Sequence, residues 1–163
     1  MTTRIAAGIF IAAIVVANLT VAEFGPWVSP INAFVLIGLD LSLRDWLHDK
    51  WRSELWRMGA LIGTAGIVSF LLNPAAGRIA VASAVAFTAS SLVDAGVYHR
   101  LIDLPFLKRA NGSNVAGALT DSVLFPTVAF GLFPGIAAVI GLQFAAKTVG
   151  GGLWSVILAK FRR

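Results

Sequence analysis

The chain has 163 residues, of which 58% are hydrophobic and only 13% charged, with a mean hydropathy of +0.84. A soluble domain carries about twice that charged fraction, so the composition excludes an ordinary water-soluble fold and makes lipid the main solvent. The net charge of +5 does not form a nucleic-acid stripe, because the basic residues stand at the ends of apolar segments, and the absence of cysteine excludes disulfides, thiolate metal sites and cysteine nucleophiles.

At roughly 20 apolar residues per membrane span, the chain holds about six spans in a single domain over 1–163. Apolar runs bounded by charge or turn residues predict these spans at 4–23, 26–43, 58–73, 79–98, 115–133 and 135–159. In the first, Gly8 with Ala12 and Ala13 with Ala17 have the small-residue spacing that lets helices pack closely. The same run has the outline of a secretory signal ending at Thr20-Val21-Ala22, but five spans follow it and a retained first helix completes the charge pattern. Pro26 opens the second span. Trp46, Trp51 and Trp56 then lie among charges, a mixture suited to a helix at the headgroup level. Asn73-Pro74 ends the third and shortest-bodied span, and Phe133-Pro134-Gly135 makes the tight turn between the last two.

The basic residues orient this arrangement. Of the 13 Lys and Arg, Arg4 stands at the N-terminus, Arg44, Lys50, Arg52 and Arg57 in the second loop, Arg100, Lys108 and Arg109 in the fourth, and Lys160, Arg162 and Arg163 at the C-terminus. All of these fall on one side of a six-span model, and only Arg78 falls on the other. The positive-inside rule therefore predicts an all-α bundle of about six transmembrane helices with both termini cytoplasmic.

An ionisable group within a span costs roughly 2.5–3.5 kcal/mol or more and must face protein or water. Asp40, Asp94, Asp121 and Lys147 are such groups, and Asn18, Asn32, Ser83, Ser90, Ser91, Thr120, Ser122 and Gln143 add neutral hydrogen-bonding groups. Together they predict a polar interior. At 1.5 Å per residue the three acids sit in the cytoplasmic half, Asp40 about 6 Å from Arg44, whereas Lys147 lies about 20 Å from Lys160. On that reckoning an ion pair needs a tilted or broken last helix, for which Gly150-Gly151-Gly152 is the candidate break. Each acid also has a structural reading: Asp40 paired with Arg44 at i,i+4, Asp94 or Asp121 capping a helix or paired with Arg109 or Lys147.

There is no Gly-rich phosphate loop, no H-E-x-x-H and no G-x-S-x-G, and His48 and His99 are too far apart for a metal motif, so no enzyme activity, cofactor or metal is expected.

Several stretches resemble the queuosine precursor transporter family, also called the vitamin uptake transporter family. Ala17-Asn18 matches its early-helix Ala-Asn, and Phe34 to Asp40 its apolar helix ending in Asp. Arg78, Ala82-Ser83, Ala86-Phe87, Ser91, Asp94 and Tyr98 follow a more specific family pattern. Arg109-Ala110-Asn111-Gly112-Ser113-Asn114, then Asp121-Ser122, Phe125 and Ala129-Phe130-Gly131, look like its most recognisable segment. The chain is shorter than most relatives and departs from the family after Asp40, where Leu41-Ser42-Leu43-Arg44-Asp45 replaces the usual acidic-aromatic-Gly pattern.

The resemblance implies uptake of 7-cyano-7-deazaguanine or its aminomethyl relative across a bacterial inner membrane. A guanine-like edge offers adjacent N–H donors that a carboxylate accepts two at a time, which makes Asp94 and Asp121 the preferred acceptors. Asn18, Ser91, Asn114 and Gln143 would complete the polar contacts, and Phe87, Tyr98 and Phe125 would stack on the ring. Asp40 and Lys147 are the candidates for proton or ion coupling. Two alternatives stay open: a substrate-binding subunit of an ATP-driven vitamin importer, and a non-transporting structural protein. The expected partners are the 7-deazapurine and the bilayer, with no nucleic acid, and a homodimer is compatible with so small a bundle.

Overall fold

The computed structural model describes residues 2–40, Leu43, Leu47, Trp51 and 55–159. Arg44, Asp45, Trp46, His48, Lys50, Arg52, Lys160, Arg162 and Arg163, on which parts of the orientation and headgroup-helix readings rest, lie outside the described residues. Helix α1 runs over Thr3–Phe24 and stops where Gly25, at φ 75°, returns its N–H to the Val21 carbonyl at 2.9 Å. Helix α2 covers 26–40: a 3₁₀ turn at Pro26–Val28, an α turn at Ser29–Asn32, a π-bulge at Ala33–Ile37 and a final α turn. Helices α3 (Leu55–Leu72), α4 (Ala76–Arg100), α5 (Phe106–Phe130) and α6 (Ile136–Ala159) follow, and the described residues contain no strand.

The helices match the expected spans closely except at two places. Helix α5 begins at Phe106, nine residues before the expected 115, because hydropathy locates the apolar part of a helix and the polar stretch Lys108 to Asn114 continues the same helix. The second difference concerns Gly150-Gly151-Gly152, which do not break α6. Gly150 serves instead as a close-packing site. A Cβ there would lie 2.5 Å from the Phe34 carbonyl oxygen, and one on Gly38 would lie 2.8 Å from the Gly150 carbonyl carbon, so α2 and α6 cross backbone to backbone. The π-bulge of α2 sits at this crossing, as such bulges do where a helix is locally adjusted to function.

Large apolar side chains cover much of the outer surface, and a set of polar side chains is buried inside. Ile5, Ile67, Leu71, Leu92, Leu119 and Leu153 are among its many exposed large side chains, while Asn18, Asn32, Asp40, Gln143 and Lys147 are buried. Water offers no reason for that inversion and a hydrocarbon solvent does, because a polar group is then satisfied only by other parts of the protein. Thr3–Phe24 and Ala76–Arg100 have the length and apolarity to cross a membrane, and Trp56–Leu72 and Ile136–Gly151 are shorter apolar helices. These features define an all-α membrane protein.

Two apolar clusters lie toward opposite ends of the bundle. One joins Ala6, Phe10 and Ile14 of α1 to Leu43, Leu47, Met58 and Ala65. The other joins Val21 of α1 to Ile79 and Ala82 of α4 and Ala129 of α5, with Phe125 and Phe130 against it. Ile14 and Val21 are two turns apart on α1, and the polar interior lies between the clusters they belong to.

Candidate functional site

Between the apolar clusters is a cavity of about 510 Å³ to which every helix contributes. Its α1 wall holds Ala17 and Asn18, its α2 wall Ser29, Asn32 and Asp40, and α3 adds Ile62. Ser83, Phe87, Ser90 and Asp94 come from α4 at intervals of three or four residues, one stripe of a helix. Helix α5 supplies Asn114, Gly117, Asp121 and Phe125, also on one stripe, and α6 supplies Gln143, Lys147 and Gly151.

Nine of the eleven residues singled out from the sequence therefore meet in one cavity. Asn18, Asp40, Phe87, Asp94, Asn114, Asp121, Phe125, Gln143 and Lys147 line it; Ser91 and Tyr98 do not. Both exceptions have a geometric cause. The lining stripe of α4 passes through Ser90, and a neighbour one residue on is turned by about 100°. Tyr98 stands one turn beyond Asp94 toward the end of α4, past the last lining residue of that helix.

The charged centre is an ion pair. Lys147 Nζ donates to Asp121 Oδ2 and, at 3.3 Å, to Gln143 Oε1. Gln143 Nε2 donates to Ser29 Oγ at 2.9 Å, and Ser29 Oγ donates to the Pro26 carbonyl. This unbroken donor-to-acceptor chain ties α5, α6 and α2 together and sets the orientation of the Gln143 amide. Lys147 is only 4% exposed, whereas the Asp121 side chain keeps 23% of its surface open.

A second network joins α1 to α3 and α4. Asn18 Nδ2 donates to Ser69 Oγ at 3.2 Å, and Asn18 Oδ1 accepts from Ser83 Oγ at 3.0 Å. Asn32 Nδ2 donates to Thr20 Oγ1 at 2.8 Å and to the Ala17 carbonyl at 3.2 Å, pinning α2 to α1. Both Asn side chains are thus committed to helix packing as well as lining the cavity.

Asp94 is held differently. Gly117 brings the α5 backbone against it: a Cβ there would sit 3.3 Å from both the Asp94 Cβ and the Ser90 carbonyl oxygen. Asp94 Oδ1 is buried and accepts no hydrogen bond among the described residues. Ser122 Oγ is likewise buried without a partner among them. The Ser122 carbonyl also lacks its helical donor, because the residue four ahead is Pro126. Phe125, one of the flat lining side chains, is braced edge-on by Phe130 at a centroid distance of 6.4 Å.

Ser29 and Gly117 carry no functional signal in the sequence, and Gly150, expected to help break the last helix, is a close-packing site instead. A serine beside Pro30 at a helix start reads as a turn residue, and the partner that reveals its role stands 114 positions away. The glycines carry no side chain to notice, and only the helix crossings show what they admit. Among the described residues no cluster of His, Asp and Glu has the makings of a metal site.

An all-α membrane bundle with a helix-walled polar cavity at its middle is the architecture of a small-molecule carrier. The family comparison agrees: residues 1–159 match the family described as "Putative vitamin uptake transporter", and the chain belongs to that family. No curated protein and no solved structure matches it.

Proposed function

We propose that the protein takes up a 7-deazapurine precursor of queuosine, 7-cyano-7-deazaguanine or its aminomethyl relative, across a bacterial inner membrane. In this reading all six helices span the bilayer, both termini face the cytoplasm, and the transported molecule occupies the cavity between them.

The observation that carries the proposal is the cavity itself. Its volume of about 510 Å³ falls in the range of small-molecule sites, and it pairs carboxylates with flat apolar side chains. A fused bicyclic ring stacks on Phe87 or Phe125 and presents its N–H donors to Asp94 and Asp121. Asp94 suits that role because Oδ1 has no other donor among the described residues, and a buried carboxylate oxygen without one is unfavourable until a ligand supplies it. The resemblance of the α4 and α5 stretches to the queuosine precursor transporter family supports this particular ring.

The test is thermal stabilisation of the detergent-purified protein by a panel of 7-deazaguanines, guanine and vitamins, followed by uptake into proteoliposomes. A ligand that binds the native state raises its melting temperature by mass action. A selective shift with the 7-cyano or 7-aminomethyl compound, and saturable uptake of the same compound, is the expected result. The family description favours one second reading, a vitamin as cargo. A shift with a vitamin alone would establish it in place of the first.

A further inference from the structure

An ammonium has three N–H donors, and the fold directs two of those on Lys147, one to Asp121 and one to Gln143. Gln143, 1% exposed, is itself fixed by Ser29, so the ammonium is anchored from two sides on a cavity that Lys147 lines. The third N–H has no acceptor among the described residues. Asp121 is engaged through Oδ2; its other oxygen is bonded by no described residue, and its side chain is partly open to the same cavity. The pair thus keeps one N–H and one carboxylate oxygen that no described residue engages, on two residues that line the same cavity and are held by three helices.

A ring lactam carries the complementary pattern, a carbonyl oxygen next to an N–H. We propose that Lys147 and Asp121 together read this edge, Lys147 donating to the carbonyl oxygen and Asp121 accepting the ring N–H. Lys147 is then a specificity-determining contact with the ligand rather than a coupling group. Asp94, on α4 where it packs against Gly117, one turn before Asp121, is left for a further N–H of the ligand. The inference rests on the reading of the cavity as the ligand site. It does not require that the ring be a deazapurine.

Two features make the discrimination strong. Lys147 is almost wholly withdrawn from water, so a ligand group mismatched to it is not rescued by solvent, and the Gln143–Ser29 anchor keeps the ammonium from swinging to a second acceptor. An O-alkylated lactam has nearly the same size and flatness, but its ring nitrogen has become an acceptor. It would face Asp121 with two acceptors opposed.

The experiment compares binding of 7-cyano-7-deazaguanine and its O6-methyl ether, alongside the plain lactams lumazine and uracil, to the purified wild type and to three variants. The wild type is expected to prefer the lactam over the ether by about a hundredfold. Lys147→Arg, which keeps charge and donors, should retain the preference. Lys147→Gln combined with Asp121→Asn, a neutral pair free of any uncompensated charge, should lose most of it, as should Lys147→Met if that variant remains folded. Equal binding of lactam and ether by the wild type would overturn the proposal, as would an undiminished preference in the neutral pair. If lumazine or uracil binds with Lys147-dependent preference while the deazaguanine does not, the deazapurine reading fails and this inference stands. Binding of the deazaguanine with no dependence on Lys147 would overturn this inference and leave the deazapurine reading standing. No binding of any lactam would refute both.

Discussion

Asp121 stands nine residues before the end of α5 and Lys147 eleven after the start of α6, and the turn at 131–135 folds these positions onto each other. At 1.5 Å per residue they lie about 14 Å and about 17 Å from the turn, so two antiparallel helices bring them into direct contact without any break. Gly131, at φ 73°, makes the turn tight enough for this by returning its N–H to the Thr127 carbonyl at 2.9 Å.

Because Lys147 is almost wholly buried, removing its partner leaves a cation in a medium that does not solvate it. Asp121→Asn is therefore expected to destabilise the protein by about 3 kcal/mol, and the double variant Asp121→Asn with Lys147→Gln to recover most of that loss. Melting of the purified proteins in one detergent measures both. Uptake should be lost in the single and the double variant alike.

Asp94 predicts the opposite relation between stability and function. Its buried Oδ1 lacks a donor among the described residues, so an amide of the same shape removes the cost of a charge on a carboxylate with one unmatched buried oxygen. Asp94→Asn should melt no lower than the wild type while failing to transport. A variant that unfolds instead would show that Asp94 holds the bundle together. Asp40→Asn should be milder in transport than either.

The α2–α6 crossing tolerates no side chain. Gly150→Ala places a methyl group 2.5 Å from a backbone oxygen that cannot move aside, for which about 1–3 kcal/mol of destabilisation is expected. The helices must separate, and Lys147 on the same helix moves with α6, so transport should fall further than stability alone accounts for. Comparing uptake per folded molecule with the melting temperature separates the two effects.

Gly117→Ala is a gentler probe of the α4–α5 crossing. The added methyl meets Asp94 Cβ and the Ser90 carbonyl at 3.3 Å, a contact met by shifts of a few tenths of an ångström. Stability should change by less than about 1 kcal/mol. Affinity for the transported molecule should weaken by up to roughly tenfold through displacement of Asp94, which a titration of the purified protein reads directly.

The absence of native cysteine makes orientation directly measurable. Single cysteines at Arg78 and at Arg100, opposite ends of α4, are expected to react with an impermeant thiol reagent from opposite sides of the membrane, Arg78 from outside. Labelling of both from one side would remove α4 as a span.

The sequence by itself determined the class of this protein. Long apolar runs and a small charged fraction leave hydrocarbon as the only adequate solvent, and the helix is the element that satisfies its own backbone there. It also marked most of the cavity, because a charged or amide side chain in an apolar run must be turned inward: Asp94, Asp121, Gln143 and Lys147 were legible for that reason. Tertiary structure decided which of these groups touch. Depth measured from assumed loop ends separated Lys147 from the acids, whereas the real start of α5 and the short turn before α6 put it on Asp121. The roles of Ser29, Gly117 and Gly150 belong to tertiary structure as well, since a hydrogen bond across 114 positions and the clearance between two backbones are properties of helix crossings and leave no mark on the local pattern of residues.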